Sequence, residues 1–516
     1  MTRSIHAIAA LALVLDLGLL SAAEPVGPAS EAARSELTEV NGDAVDAYIR
    51  ASMQAAKVPG LSLAVVRGAD IAYLKGYGMA GPDGRPVTPE TPFILGSTSK
   101  SFTALAVMQL VEAGKLQLDA PVTRYLPWFR TEDATASARI SVRHLLHHTS
   151  GLPTPGGLHG LWEDDQSGRA LENGVRELSN THLRQPPGLR YEYSNENYNT
   201  LGLMVQTIAG VSYEEYIRSS IFGPLQMRHS AAAPSDAPAV GMASGYRYWL
   251  RRPIAFDAPY PRRATPAGFL ISSARDMAHY IVAQLNGGRY QHSQLLSPQG
   301  IAALHNPGSS VTPTISYGMG WAIHSSPGST RIWHDGDVSN FHSHLRLLPD
   351  QRLGFVVLMN VGGLSNGTAF NNLVDGIAAT LLGHSQPAPI DSPWTTSLRL
   401  TALVPLLIAV LWTGWSFRSL RRWHRGEPPP HGLRRFLRLY LPLAVDLSAP
   451  GVIWILMPAS AEIPVGAIRL FAPDVFASLV ATTSLLAGCA IGRAFTAVRF
   501  RWFTTSTHAA SVSLEN

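Results

Sequence analysis

The sequence predicts an α+β domain followed by three membrane-spanning helices. Three observations carry that prediction. β-type runs stand near both ends of the first ~390 residues, helical and Pro/Gly-rich segments fill the stretch between them, and the last quarter turns into long apolar runs. The terminal strands are expected to form one antiparallel sheet and the middle a helical lobe.

At the N-terminus Arg3 precedes an apolar run from Ala7 to Leu20, and Ser21-Ala22-Ala23 precedes Glu24. A positive start, a short apolar stretch and small residues at its end form an export-signal pattern over residues 1–23, with an uncleaved anchor as the alternative. Leu61–Val66 and Ile71–Lys75 read as strands around the Arg67-Gly68-Ala69-Asp70 turn. Ser97–Ala113 has a helical period, with Phe102, Leu105, Met108 and Leu110 or Val111 on one face, and Gly114 ends it. Ser141–Asn286 mixes helices with loops. Strands return at Ser343–Leu348 and Leu353–Asn360 around Pro349-Asp350, and a helix over Thr368–Leu382 closes the domain at residue 385. His384–Pro393 reads as linker, assigned to residues 386–397.

Three apolar runs, Leu398–Phe417, Leu437–Met457 and Val475–Val498, are long enough to cross a bilayer within residues 398–501. The loop after the first holds Arg418, Arg421, Arg422, Arg425, Arg434, Arg435 and Arg438, and Arg499 and Arg501 follow the third. The positive-inside rule puts that loop and the 502–516 tail in the cytoplasm and residues 24 to about 390 outside, which implies a multi-pass protein of the bacterial inner membrane with its large domain on the periplasmic or extracellular side. Asp446 inside the second run is costly in lipid, so it should face a neighbouring helix or water. With 46% hydrophobic and only 15% charged residues the composition suits a partly lipid-embedded chain. The net charge of +5 reads as membrane-flanking arginine, not as a nucleic-acid surface. Cys489 is the sole cysteine, so no intrachain disulfide can form.

Three motifs carry chemistry. In Ser97-Thr98-Ser99-Lys100 a hydroxyl and an amine share one helix face. The serine needs a base, the lysine can serve only if its pKa is lowered, and the helix start offers N–H groups to an oxyanion. In Tyr193-Ser194-Asn195 a tyrosine beside a cationic lysine could have its pKa lowered enough to act as a base, while Asn195 could hold a substrate carbonyl and accept from the lysine. In His334-Asp335-Gly336 a strand edge could align an extended substrate. There Gly336 permits close approach, the Asp337 N–H joins that of Ser97 as oxyanion hole, and His334 contacts the polar or carboxylate end of the substrate.

S-x-x-K, Y-x-N and H-x-G in this order and at these separations resemble the penicillin-recognising serine hydrolases, in the branch of class C β-lactamases, D,D-peptidases, D-aminopeptidases and related esterases. Val58–Val66, Leu145–Leu152, Pro266–Ser273 and Tyr317–Trp321 are similar to that branch as well, and the likeness runs over residues 40 to about 385. It implies a β-lactamase/D,D-peptidase-like domain with Ser97 as acyl-enzyme nucleophile, Lys100 and Tyr193 as the proton-transfer pair, and Asn195, His334, Gly336 and Asp337 binding substrate. It implies no cofactor and no metal. His147 and His148 lack a ligand pattern and are assigned to packing or hydrogen bonding.

His-Asp-Gly stands where β-lactamases of this branch usually carry Lys-Thr-Gly. A histidine is largely neutral at pH 7, and Asp335 would add negative charge beside the place of a penicillin carboxylate. The expectation is therefore acyl transfer to water from a small peptide, amide or ester, D-amino-acid peptidase-like or esterase-like, ahead of β-lactam hydrolysis. The rival is a membrane-anchored sensor or scaffold that binds or is acylated without turnover. Gly363-Leu364-Ser365-Asn366-Gly367 also fits a nucleophile elbow, but Asp375 and His384 give it a poor acid and histidine supply, so it reads as a turn.

Overall fold

The computed structural model describes residues 40–512 except 156, 157, 159, 164, 237–240, 364–366, 391, 392, 426–431 and 462. The proposed signal segment and Ser365 therefore lie outside the described residues.

An eight-stranded antiparallel sheet organises the domain. Its strands are β1 (Gly60–Arg67), β2 (Asp70–Gly78), β3 (Ser309–Ser310), β4 (Ile315–Tyr317), β5 (Ala322–Ser326), β6 (Ser329–Val338), β7 (Phe341–Leu348) and β8 (Leu353–Met359), in the spatial order β2-β1-β8-β7-β6-β5-β4-β3. The N-terminal hairpin thus joins the C-terminal strands, with Leu61 opposite Met359 and Arg67 opposite Leu353. Gly68, at φ +62, turns the hairpin.

Side chains alternate across a strand, so one run supplies two cores. From β1, Leu61, Leu63 and Val65 meet Phe355 and Val357 of β8 under α1 (Gly42–Ala56), together with the last helix of the domain, Gly367–Leu381. Ala64 and Val66, with Leu345, Leu347, Val356 and Leu358, face the larger core beneath the helical lobe. Both faces of β1 are covered, which is why its sequence reads as an almost unbroken apolar run. The Asn41 side chain caps α1 by accepting from the Ala44 N–H at 3.0 Å.

The expected helix at Ser97 begins as a single 3₁₀ turn, Gly96–Thr98, that runs into α2 (Ser99–Glu112). Every residue of α2 from Ser99 to Met108 is buried, so it is enclosed on all sides and its single apolar face in the sequence understates its burial. It packs against α3 (Asn195–Ala209) and the turn Thr265–Phe269 in the lobe.

A second compact unit begins at Pro393. It contains three helices long and apolar enough to cross a membrane, Leu403–His424, Phe436–Ala459 and Pro473–Arg499. Asp446 of the second span is buried and ion-paired to Arg493 of the third. It also accepts from the Trp412 indole N–H of the first span at 2.8 Å, and Arg493 donates to Ser416 at 2.5 Å. Asp446 therefore faces its neighbouring helices, as its cost in lipid requires.

Candidate active site

Ser97 sits on the 3₁₀ turn because two glycines let that turn press against β6. Gly96 has φ +53, and a Cβ on it would lie 2.6 Å from the Asp337 nitrogen. A Cβ on Gly336 would fall 1.9 Å from the Leu95 carbonyl oxygen. The same turn is held by hydroxyls. Ser343 donates to the Leu95 carbonyl at 2.6 Å, and Thr98 Oγ1 lies 2.8 Å from Ser343 Oγ and 3.2 Å from the His334 carbonyl. The backbone nitrogens of residues 97 and 337 therefore belong to two segments in direct contact, the arrangement an oxyanion hole needs.

Four of the side chains singled out in the sequence meet at one point. Lys100 Nζ lies 3.0 Å from Ser97 Oγ, 2.8 Å from Asn195 Oδ1 and 2.6 Å from the Ala267 carbonyl. The Tyr193 hydroxyl donates to Ser97 Oγ at 2.8 Å. Asn195 is there because it is the first residue of α3, which packs directly on α2.

The protons are distributed differently from the expectation for Tyr193. Partial burial pushes Tyr193 up from its ordinary value, and the Asp337 and Asp335 carboxylates reinforce that against the Ser97 hydrogen bond. Burial also drives Lys100 well below the usual lysine range. A neutral Lys100 meets every contact: two N–H groups go to Asn195 and Ala267, and the lone pair faces the Ser97 hydroxyl. Both shifts disfavour the charged form, ammonium at Lys100 and phenolate at Tyr193.

Several residues that the motifs do not contain shape this centre. His148, with φ 54, is buried, and its Nδ1 accepts from the Ser194 N–H at 3.2 Å and faces Asn197 Nδ2 at 2.9 Å. Its ring lies 4.5 Å from that of Tyr193 and 4.8 Å from that of Tyr317. The sequence assigned His148 to packing or hydrogen bonding without linking it to Tyr193. The one signal was its place in Leu145–Leu152, just as Ala267 and Tyr317 lie in the other similar stretches.

His334 occupies β6 beside this cluster, is 1% exposed, and bonds through Nε2 to the Tyr317 hydroxyl at 3.1 Å. Burial, aided by Lys100, pushes it down to about 4. Alternation turns Asp335 to the opposite face of the strand from His334, where it pairs with buried His344, while its charge still acts on the Tyr193 hydroxyl. There Arg346 donates to His344 at 3.0 Å and bridges Asp375 of the last helix at 2.9 Å. Strand β5 pairs with β6 only as far as Trp333, so the outer edge from His334 to Val338 has no strand partner among the described residues.

A sequence profile described as Beta-lactamase matches residues 45–379. The chain therefore belongs to the beta-lactamase family, whose penicillin-binding-like members are serine hydrolases. "Protein flp" of Staphylococcus aureus (strain COL) is 26% identical over 394 residues, covering 75% of this chain and 76% of that protein. "Unguisins hydrolase ungD'" of Aspergillus campestris (strain IBT 28561) is 30% identical over 341 residues, 62% of each protein. Among solved structures, the octameric penicillin-binding protein homologue from Pyrococcus abyssi superposes with a TM-score of 0.59 at 28% identity, covering 70% of this chain and 81% of that one. A class C beta-lactamase superposes with a TM-score of 0.56 at 22% identity over 69% of this chain and 98% of its own, a likeness of fold alone.

Proposed function

We propose that the chain is a membrane-anchored serine hydrolase that transfers the acyl group of a peptide, amide or ester to water through an acyl-enzyme on Ser97. The observation that carries this is the convergence of Lys100 Nζ and the Tyr193 hydroxyl on opposite contacts of one oxygen, Ser97 Oγ. In acylation the Ser97 proton passes to the Lys100 amine as the Oγ–carbon bond forms. The backbone N–H groups of Ser97 and Asp337 hold the developing oxyanion. Tyr193 gives its proton to the departing amine or alcohol as the acyl–leaving-group bond breaks, and the Lys100 ammonium restores the phenol. Water then repeats the sequence in place of Ser97, so no net proton is gained or lost by the pair. Asn195 and the open β6 edge at His334–Val338 align the substrate backbone.

The arginine-rich loop after the first span supports a cytoplasmic loop and an outward-facing hydrolase domain spanning residues 24–385, preceded by a signal over 1–23, joined by the 386–397 linker to the 398–501 membrane region and ending in a 502–516 cytoplasmic tail. The rival reading, a sensor acylated once, differs in a single observable. The full chain in detergent is incubated with a chromogenic ester, a D-Ala-D-Ala peptide and a cephalosporin, and product and covalent mass are followed together. Multiple turnovers of at least the ester are expected, with Ser97→Ala abolishing every adduct and Ser365→Ala retaining them. One stable adduct without product would make the protein a sensor, and adducts lost only in Ser365→Ala would displace Ser97.

A further inference from the structure

We infer that the leaving-group side of this cleft selects esters and amides carrying no carboxylate there, with His334 and Asp337 setting the preference. The inference rests on the acyl-enzyme reading of Ser97 and narrows its substrate class.

The first observation is a tautomer. His334 Nδ1 lies 2.6 Å from the Asp335 carbonyl oxygen, which can only accept, so Nδ1 carries the ring hydrogen. Nε2 is then the bare nitrogen, and it accepts from the Tyr317 hydroxyl. Both nitrogens are committed and the ring is buried, so His334 has no N–H to offer an anion. Adding a proton would take away the acceptor of Tyr317 and place a charge in a buried site beside Lys100.

The second observation is the sign of the local field. Tyr193 hands its proton to the leaving group, and the charges acting on its hydroxyl are the carboxylates of Asp337 and Asp335, both negative. Asp337 is the more open, with its side chain 34% exposed, and is 2.7 Å from His342 Nδ1. Asp335 pairs with His344, which burial keeps below the usual imidazole range and hence neutral, while the nearby Arg346 guanidinium is engaged by Asp375. The Asp335 charge is thus not cancelled by its own partner. His334 and Tyr193 belong to one chain of contacting rings that runs through Tyr317 and His148. A substrate carboxylate beside Tyr193 would meet the half-open Asp337 carboxylate, whose partner His342 is already engaged by it, and would find no N–H on His334.

The test uses phenyl and 3-carboxyphenyl esters of one N-acylglycine on the full chain in a nonionic detergent. They differ by a single carboxylate on the leaving group. Phenol release and acyl mass on Ser97 are read, and rates are normalised to hydroxide-catalysed hydrolysis. The phenyl ester should have kcat/KM higher by roughly tenfold or more. The gap should shrink as ionic strength rises from about 20 mM to about 500 mM, and also in Asp337→Asn. Equal or faster reaction of the carboxyphenyl ester overturns the inference and leaves the acyl-enzyme intact. A preference indifferent to both salt and Asp337→Asn is steric and overturns it too. The salt series on the unaltered chain decides the matter if Asp337→Asn fails to fold. If neither ester acylates Ser97, the acyl-enzyme reading itself falls.

Discussion

The chemistry at Ser97 hinges on which neighbour is short of a proton, and burial answers that. Moving an ammonium out of water is unfavourable and moving a phenol is not, so enclosure at one site favours the amine as base and the phenol as acid. The pH profile should show it. Lys100 must be uncharged to receive the Ser97 proton, so kcat/KM for an uncharged ester should rise with pH through the depressed Lys100 pKa and then level off. An acid limb that stays near the ordinary lysine value of 10.5 would refute the assignment. His334 adds no charge-dependent limb near neutrality, because it is already neutral above about 4. That Ser97, Lys100, Tyr193 and Asn195 belong together was legible in the sequence because their motifs, taken as an ordered set, carry the family resemblance, and the four side chains do meet. The direction of the Tyr193 shift and the tautomer of His334 were not, because they depend on enclosure and on Tyr317 and a carbonyl, which only the folded chain brings near.

Elements explain why these side chains meet. The 3₁₀ turn before α2 fits against β6 because residues 96 and 336 lack side chains, and the reverse face of β6 is tied through Asp335, His344 and Arg346 to the last helix. The strands of the two hairpins could be read from β-type runs and their turn residues, to within a few residues at the ends, whereas this polar chain behind β6 could not, since its members come from three separate segments. In the membrane region hydropathy located all three spans, but it passed over Arg493 because an isolated charge scarcely alters a long apolar run. Removing one member of a buried ion pair strands the other. Asp446→Ala should therefore lower the stability of the full chain in detergent by about 3–5 kcal/mol, and Asp446→Ala with Arg493→Leu should recover much of that. The measurement is the unfolding midpoint of the three proteins. A double variant no better than the single one would mean that the pair is not coupled.

Across the whole molecule, buried neutral histidines set an acid limit. His305 and His334 are each held by burial at about 4, against 6.5 in an open chain. Between those values the unfolded chain binds more protons, so stability is full above about 6.5 and declines as pH falls towards 4, by up to about 3 kcal/mol for each group. His148 acts in the same direction. Glu196, raised by burial, has the opposite sign, but only near and above the carboxylate range. Denaturant midpoints taken at pH 7.5 and 4.5 should differ accordingly, with the acid sample weaker and the difference reduced in His305→Phe. Equal midpoints at the two pH values would contradict the burial of these rings.

The pairing of Leu61 with Met359 has a bearing on how the protein is made. During synthesis the β1–β2 hairpin emerges with one apolar edge exposed, and roughly 300 residues must follow before β8 exists to cover it. The helical lobe can assemble in that interval, yet the sheet that backs it stays open. A ribosome that stalls or a protease that cuts ahead of β8 leaves an unprotected strand seeking any partner, so the nascent hairpin is where holding chaperones should be found.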